Sequence, residues 1–345
     1  MGKKIKNKDI ANRLGVSGTL VSLVLNNKAD QHGIRKDTQE RVLTLARQMG
    51  YFDSAEEIGE LSPVEEKPGV IGMVVPGMND PFIYEITPLL HKAFASIGVG
   101  FSIVSKDPDD LRFNRLVSAF RKFYSGLIIV GDTADDYTLR SLRTNDYPFV
   151  LLEKTTKKLR LNTVSTDMTA GAQLMADHIG NLGYKNLLIV SRKGKTRSDA
   201  EIIDSFKEEL KSRPEINKPL VIEIGSAYPG DEPDFSELEK YLRPPYRTEM
   251  LVAVHSEIVY PLMASLQKHK VRVPQDVALA SLEEGPGFDL IHSPVTALRR
   301  PLAAMAIKVS NMIWSEVKNG GKGKYRRQVT MSPELIVRKS CGSNR

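Results

Sequence analysis

Apolar residues recur three or four positions apart in two short stretches near the start of the chain. The repeated positions are Ile10 and Leu14, followed by Val21, Val24 and Leu25. This spacing predicts two short amphipathic helices. Gly15 lies between them and tolerates the left-handed conformation of a tight turn, and Ser17 is a suitable N-cap for the second helix. The pattern is typical of a helix-turn-helix, whose second helix enters a DNA major groove, but an ordinary pair of packed helices fits it equally well.

Charge distinguishes these two interpretations. The first 50 residues contain ten Lys or Arg and four Asp or Glu, which accounts for six of the seven formal positive charges of the chain. A basic segment joined to a nearly neutral remainder is the distribution expected for phosphate binding. We therefore interpret the two helices as a DNA-binding element.

A third amphipathic helix and a linker follow. The third helix is predicted at 36–49, with Gly50 as its stop. Residues 53–66 contain six acidic side chains and no basic one, which indicates an exposed connection. The sequence thus predicts a helix-turn-helix headpiece over 1–52 and an acidic hinge or linker over 53–67.

Short apolar runs alternate with amphipathic stretches from residue 68 onward. The apolar runs lie at 70–75, 101–104, 127–130, 149–152, 187–190, 220–224, 251–254 and 277–280, and the amphipathic stretches at 83–96, 111–123, 170–182, 200–211 and 259–269. Continuous apolar strands that alternate with helices indicate an α/β fold with parallel sheets covered on both faces. The number of units suits either two Rossmann-like halves or one TIM barrel. A ligand is expected at the carboxyl ends of the strands.

Composition argues against several other classes of protein. Cys341 is the one cysteine, so neither a disulfide framework nor a cysteine-based metal site is expected. The six histidines lack the spacing of metal ligands, and no catalytic motif is complete, so we expect no enzyme activity, no metal and no cofactor. No apolar run approaches the length of a membrane span, and no signal-peptide core follows the basic N-terminus. These features favour a cytoplasmic protein over an exported solute-binding protein.

A series of short motifs runs through nearly the whole chain. They lie at 8–11, 15–17, 21–22, 25–26, 38–42, 49–51, 71–76, 79–82, 164–167, 183–184, 273–277, 294–296 and 332–338. In content and order they resemble the motifs of LacI-type (lac repressor) transcription regulators. Among them, Lys8-Asp9-Ile10-Ala11 and Gly15-Val16-Ser17 resemble that family's headpiece.

The resemblance implies a headpiece, a hinge and a two-lobed core of the periplasmic-binding-protein-like type over 68–340. Its N-terminal lobe is expected at about 68–165 and 292–325, and its C-terminal lobe at about 166–291 and 326–340. Family members bind near-palindromic operators on double-stranded DNA as homodimers and hold a small effector between the lobes. The implied function is a transcription repressor or activator acting at the nucleoid and controlled by a sugar or related metabolite. A regulator with a degenerate cleft and no effector is the alternative.

The resemblance also implies DNA contacts. Base contacts are expected from Asn7, Gly18, Thr19, Ser22 and Leu23, and phosphate contacts from Lys6, Lys8, Ser17, Asn26 and Lys36. Leu20 and Leu23 stand where the family usually has Thr and Arg. A leucine cannot donate a hydrogen bond to a base edge and either contacts a thymine methyl group or packs inward.

The hinge and the cleft depart further from the family pattern. Ile58 and Leu61 are the nearest counterparts of the hinge leucines that wedge into a minor groove, but Glu57 and Glu60 would repel phosphates, so we expect weak wedging or none. The cleft candidates are Asp80, Phe82, Lys154, Asp167, Arg197, His255, Ser256 and Glu283. Ile202 replaces the Arg that clamps sugars in the family. We therefore expect either an effector other than a simple sugar or a cleft that has lost its ligand.

Overall fold

The chain folds into two compact units, Met1–Pro68 and Gly69–Arg345. The computed structural model describes residues 5–25, 29, 32–49, 51, 69–78, 80–106, 120, 122–154, 159–192, 197–224, 235–323 and 326–343. The hinge predicted at 53–67 and most of the helix predicted at 111–123 lie outside these described residues.

The described residues of the first unit form three helices, as the apolar spacing predicts. Its helices are α1 (Asn7–Leu14), α2 (Gly18–Leu25) and α3 (Lys36–Gln48). They enclose a small apolar cluster formed by Ile10, Ala11, Val21, Val24, Ala29, Val42 and Ala46. Every member of this cluster is buried. Six of them lie on the sides of the helices that face one another, and Ala29 joins them from the connection between α2 and α3.

Local hydrogen bonds set the turn between α1 and α2. Gly15 adopts a φ of 66°, and the Val16 amide donates to the Ala11 carbonyl at 3.1 Å. The Ser17 hydroxyl oxygen accepts a hydrogen bond from the Leu20 amide at 3.1 Å. Ser17 therefore caps α2 as expected, and the left-handed glycine closes α1.

Within its described residues, the second unit forms two six-stranded sheets. The first sheet comprises β1 (Val70–Val75), β2 (Gly100–Ser105), β3 (Gly126–Val130), β4 (Phe149–Leu152), β5 (Thr163–Thr166) and β11 (Gln328–Met331), in the order β11-β5-β4-β3-β1-β2. The second comprises β6 (Leu187–Arg192), β7 (Leu220–Ile224), β8 (Met250–Ala253), β9 (Ala278–Ser281), β10 (Thr296–Arg299) and β12 (Glu334–Ile336), in the order β12-β10-β9-β8-β6-β7. All pairings are parallel except β10 with β12. Two open sheets rule out the TIM barrel and confirm the two Rossmann-like halves.

Helices cover both sheets. Those that lie in the described part of this unit are α4 (Pro81–Ala95), α5 (Asp136–Thr144), α6 (Met168–Leu182), α7 (Arg197–Lys211), α8 (Phe235–Leu242), α9 (Ser256–Lys268) and α10 (Leu302–Lys318). Ile86 of α4 and Val309 of α10 pack in one buried cluster with the first sheet. Met175 of α6 and Phe206 of α7 belong to a cluster on one face of the second sheet, and Leu262 of α9 to a cluster on the other. We call each sheet with its helices a lobe. No helix among the described residues is both long and apolar enough to span a bilayer.

The structure corrects the lobe boundaries at two strands. β10 was expected in the N-terminal lobe but pairs with β9 of the second sheet, and β11 was expected in the C-terminal lobe but pairs with β5 of the first. The chain therefore changes sheets after β5, after β10 and again after β11. The pattern of a short strand does not reveal its partner, because either sheet edge can supply the missing hydrogen bonds.

Candidate nucleic-acid interface and interlobe cleft

The N-terminal end of α2 presents small and polar residues on the side away from the apolar cluster. Ser17, Gly18 and Thr19 are exposed, whereas Val21 and Val24 are buried. Positions 18, 19, 22 and 23 share one helical face because an α-helix has 3.6 residues per turn. The base contacts predicted for α2 therefore lie together: Gly18, Thr19, Ser22 and Leu23.

The two leucines that break the expected polar pattern occupy different environments. Leu20 packs against the apolar cluster of the first unit, so it contributes to the core. Leu23 is partly buried and lies on the same face as Ser22 and Thr19. A leucine at these positions either packs inward or contacts a thymine methyl group. Leu20 packs inward, and base contact by Leu23 stays a prediction.

The other predicted DNA contacts differ in their exposure and their hydrogen bonds. Asn7 accepts a hydrogen bond from the Tyr51 hydroxyl at 2.7 Å, which ties the start of α1 to the residues after α3. Lys6, Lys8 and Lys36 are exposed. Three further candidates lie outside the described residues: Asn26, Ile58 and Leu61.

In the second unit, several candidate residues converge at the carboxyl ends of strands from both lobes. Asp80 caps α4 and accepts a hydrogen bond from the Phe82 amide at 2.9 Å. Glu283 follows β9, and one of its oxygens accepts from the amide and the hydroxyl of Ser256 at 3.1 and 3.3 Å. This is the edge at which parallel sheets place their ligands, and both lobes contribute to it.

Arg300, immediately after β10, lies between the two lobes. Its guanidinium donates to Glu283 of the second lobe, and its Nε lies 3.4 Å from Glu153 of the first lobe. Its Cζ stands 5.1 Å from the centre of the Phe82 ring, a cation–π distance. One cation thus joins carboxylates and an aromatic ring from both sides of the cleft.

A chain of charged groups continues from Glu283 across the second lobe. His255 lies 3.7 Å from Glu283 and 3.2 Å from Asp199. Asp199 contacts Arg192 at 3.3 Å, and Arg192 contacts Glu257 at 2.8 Å. Positive and negative groups alternate along this chain, so each of these buried or partly buried charges has an opposite neighbour.

Burial and neighbouring charges shift the ionisation of this cluster in opposite directions. Burial by itself raises the pKa of Glu283, but Arg300 and His255 hold the pKa of that carboxyl well below its usual range. Burial lowers the pKa of His255, yet the adjacent carboxylates of Asp199 and Glu283 outweigh it and raise the pKa to about 9. The pKa of Asp80 is raised by burial and then by repulsion from Glu283. His255 is therefore protonated at neutral pH, between two carboxylates.

A pH-dependent loss of stability is expected from His255. Because its pKa is raised from 6.5 to about 9, its charged form stabilises the fold fully below pH 6.5, and this contribution is lost as the pH rises through about 9. Asp199, Glu283 and the repelling Arg192 are the charged groups that face the ring. The difference in the free energy of unfolding between wild type and His255→Gln is expected to shrink over that interval. Urea titrations at a series of pH values measure it.

A matched variant separates this effect from general pH sensitivity. His91 is exposed on α4, and His91→Gln is expected to follow wild type throughout. A stability difference for His255→Gln that stays constant from pH 6.5 to 9 would contradict the assignment of a charged His255.

The remaining cleft candidates have local roles. Lys154 contacts Asp132 at 3.2 Å and donates to the Ala134 carbonyl at 2.8 Å, within the first lobe. Asp167 caps α6 by accepting from the Ala170 amide at 2.9 Å. The backbone of Arg197 begins α7, and its side chain lies outside the described part of the chain.

Four cleft residues were absent from the sequence-based candidates: Arg192, Glu153, Asp199 and Arg300. Each of the first two lies at or just after the carboxyl end of a strand, and Arg300 directly follows β10. The available signal was the doublet Arg299-Arg300 next to a buried strand, where a charge requires a partner. The space beside Arg300 is a cavity of about 20 Å³, and an open groove of about 680 Å³ runs outward past Leu302.

Comparison with known proteins assigns both units. Residues 7–54 match the model of the bacterial regulatory proteins of the lacI family, and residues 176–341 match the periplasmic binding protein-like domain. The transcriptional regulator DegA of Bacillus subtilis is 21% identical over 337 residues, with 96% of each chain covered. The transcriptional repressor PurR of Haemophilus influenzae is 26% identical over 353 residues, covering 97% of this chain and 98% of that protein.

Solved structures establish the fold. A LacI family regulator from Enterococcus faecium, solved with bound ribose, superposes with a TM-score of 0.67 at 17% identity, covering 79% of this chain and 98% of the other. A PurR family regulator from Vibrio parahaemolyticus gives a TM-score of 0.68 at 17% identity, covering 80% and 100%.

Proposed function

Because this chain belongs to the LacI family of DNA-binding transcription regulators, we propose that it binds a near-palindromic operator as a homodimer. Two copies related by a two-fold axis require two matched half-sites, and each α2 would read one of them in the major groove. Such a regulator works in the cytoplasm, on the nucleoid. Its relatives DegA and PurR are a transcriptional regulator and a transcriptional repressor, and this chain is likewise a regulator and not an enzyme.

The exposed face of α2 is the observation that carries this proposal. Ser17, Gly18 and Thr19 stand at its N-terminal end, and no acidic residue lies in its first turn. Hydroxyl groups there donate to and accept from base edges, and the exposed Lys6 and Lys8 on α1 or just before it neutralise phosphates. The net positive charge of the first 50 residues favours this approach.

Removing the hydroxyl groups of α2 is expected to weaken specific binding. Thr19→Ala and Ser22→Ala should each cost about 1–3 kcal/mol of operator affinity while affinity for unrelated DNA is kept, because base contacts specify the site and phosphate contacts do not. Both positions lie outside the buried cluster, so the three-helix unit is expected to stay folded. Fluorescence anisotropy with operator and scrambled duplexes measures the difference.

Lys8→Ala is the contrasting variant. Loss of a phosphate contact should weaken binding to both duplexes alike and lower the salt dependence by about one counterion. If Thr19→Ala and Ser22→Ala both bind the operator as wild type does, the bases are read by other residues.

The second unit is proposed to control operator binding through the relative position of its two lobes. An effector that prefers one degree of closure would change the spacing of two headpieces in a dimer, and thus the operator affinity. The regulator from E. faecium was solved with ribose. In this chain Ile202 is partly buried against the second lobe's core, where the family has the Arg that clamps sugars. The donors of Arg300 are already directed at Glu283 and Glu153, so these groups are not free to bind sugar hydroxyls.

Regulation without a dissociable effector is the second candidate. The observation in its favour is Arg300, whose guanidinium already lies between the lobes and contacts Glu283 and Glu153.

A further inference from the structure

The two carboxylates that contact Arg300 are also held in place by hydrogen bonds from residues of their own lobes. The Thr166 amide donates to Glu153 at 3.1 Å, and the Thr166 hydroxyl donates to the same carboxylate. Ser256 donates twice to Glu283. Each lobe therefore presents one carboxylate that is oriented by its own neighbours. Such prepared acceptors bind a guanidinium with a smaller loss of side-chain entropy.

Glu153 also has an unusual backbone conformation. Its φ is 55°, in the left-handed region that residues with side chains rarely adopt, and its amide donates to the Val164 carbonyl at 2.9 Å. A conformation of this kind persists when surrounding contacts impose it, and it is concentrated at functional sites. Here it accompanies a carboxylate that contacts the cation between the lobes.

Arg300 fills the position between these carboxylates. The Phe82 ring lies near its guanidinium, and the adjoining cavity of about 20 Å³ holds about one water molecule. Asp80 contributes a third negative charge close to the same cation. Without Arg300, Glu283, Glu153 and Asp80 would face one another across the cleft and repel.

We propose that Arg300 is a resident occupant of the interlobe cleft, which holds the two lobes closed with no added ligand. The carboxylates and Phe82 form a guanidinium cage, to which β10 delivers the side chain. One part of this inference rests on the proposed function: if the chain binds an operator, lobes held closed by Arg300 make that binding independent of an effector. The closure itself does not depend on DNA binding.

The first test removes the Arg300 side chain from the guanidinium cage. Arg300→Ala is compared with Arg299→Ala. Arg299 is about half exposed, and its guanidinium lies 4.0 Å from the carboxylate of Glu284. Dyes on Asn145→Cys in the first lobe and Lys218→Cys in the second report the distance between the lobes by energy transfer, and both positions are exposed whereas Cys341 is buried. Lower energy transfer and a lower thermal midpoint are expected in Arg300→Ala alone. Unchanged energy transfer in Arg300→Ala would overturn the proposal.

The second test adds a free guanidinium compound to the variant that lacks the Arg300 side chain. Millimolar methylguanidinium should raise the thermal midpoint of Arg300→Ala and restore its energy transfer, because a ligand that binds only the folded form stabilises it. Wild type and Arg299→Ala should not respond, and tetramethylammonium, which donates no hydrogen bond, should have no effect. If Arg300→Ala folds only with methylguanidinium present, the proposal is supported. If methylguanidinium never restores it, the proposal is overturned.

A third measurement separates this proposal from the proposed function. Ribose should leave the midpoint of wild type unchanged, and a rise would show that the cleft accepts an added ligand while Arg300 is present, which overturns the resident-occupant proposal. Operator affinity of Arg300→Ala should differ from wild type by about tenfold, the usual size of such coupling, and methylguanidinium should reverse it. A wild-type protein that binds no operator would refute the proposed function but leave the lobe measurements valid.

Discussion

Replacing Ile10 by Ala is expected to abolish operator binding while the α/β unit stays folded. Ile10 is fully buried in the small apolar cluster of the three-helix unit. Truncation of a buried isoleucine costs about 2–5 kcal/mol, which is comparable to the whole stability of a domain of this size. Without a folded α1 the second helix has no support. Calorimetry should show loss of the transition of the first unit, and footprinting should show no protection.

The control lies two residues along the same helix. Asn12 is exposed, so Asn12→Ala removes a side chain from α1 without opening a cavity, and it is expected to unfold and bind DNA as wild type does. Operator binding by Ile10→Ala at wild-type affinity would mean that the cluster does not limit the stability of the first unit.

Replacing Glu283 by Ala is expected to destabilise the second unit by about 3–5 kcal/mol, the cost of breaking a buried ion pair from one side. Arg300, His255 and the amide and hydroxyl of Ser256 all face this carboxylate. Its removal takes the shared counter-charge from two cations whose side chains are only 12% and 21% exposed, His255 and Arg300. Urea unfolding of the α/β unit, followed by tryptophan fluorescence from Trp314, measures the loss.

An exposed glutamate in an ion pair provides the matched control. Glu208 is 71% exposed and contacts Lys211 one helical turn away. Glu208→Ala is expected to change stability by less than about 1 kcal/mol, because solvent screens such pairs. Equal losses in Glu208→Ala and Glu283→Ala would show that the buried cluster contributes no more than a surface pair does.

The first unit was predictable in outline because its signals are local. The spacing of Ile10 and Val21, the left-handed Gly15 and the capping Ser17 all act within a few residues of one another. The roles of Leu20 and Leu23 were not, because they lie three residues apart on one helix and only the packing of α1 and α3 decides which of them turns inward. The acidic hinge stays a prediction, since it lies outside the described residues.

The cleft was predictable in position but not in chemistry. Parallel strands bring their carboxyl ends together, which is the signal that selected Asp80, Phe82, His255 and Glu283, and these residues contact one another or Arg300. Their role in binding an effector stays a prediction. Arg300 was missed because its partners lie far from it in sequence, and the distances between them depend on how the two lobes meet.

The helix-turn-helix, the alternation of strands and helices, and the family can all be inferred from the order of the residues, because periodicity and motifs are properties of neighbouring residues. The sheet that each late strand joins and the position of Arg300 in the cleft follow only from the complete fold. Both depend on strand pairing and on charges brought together from distant segments. A buried charge is stabilised only by the partners that the completed fold places around it.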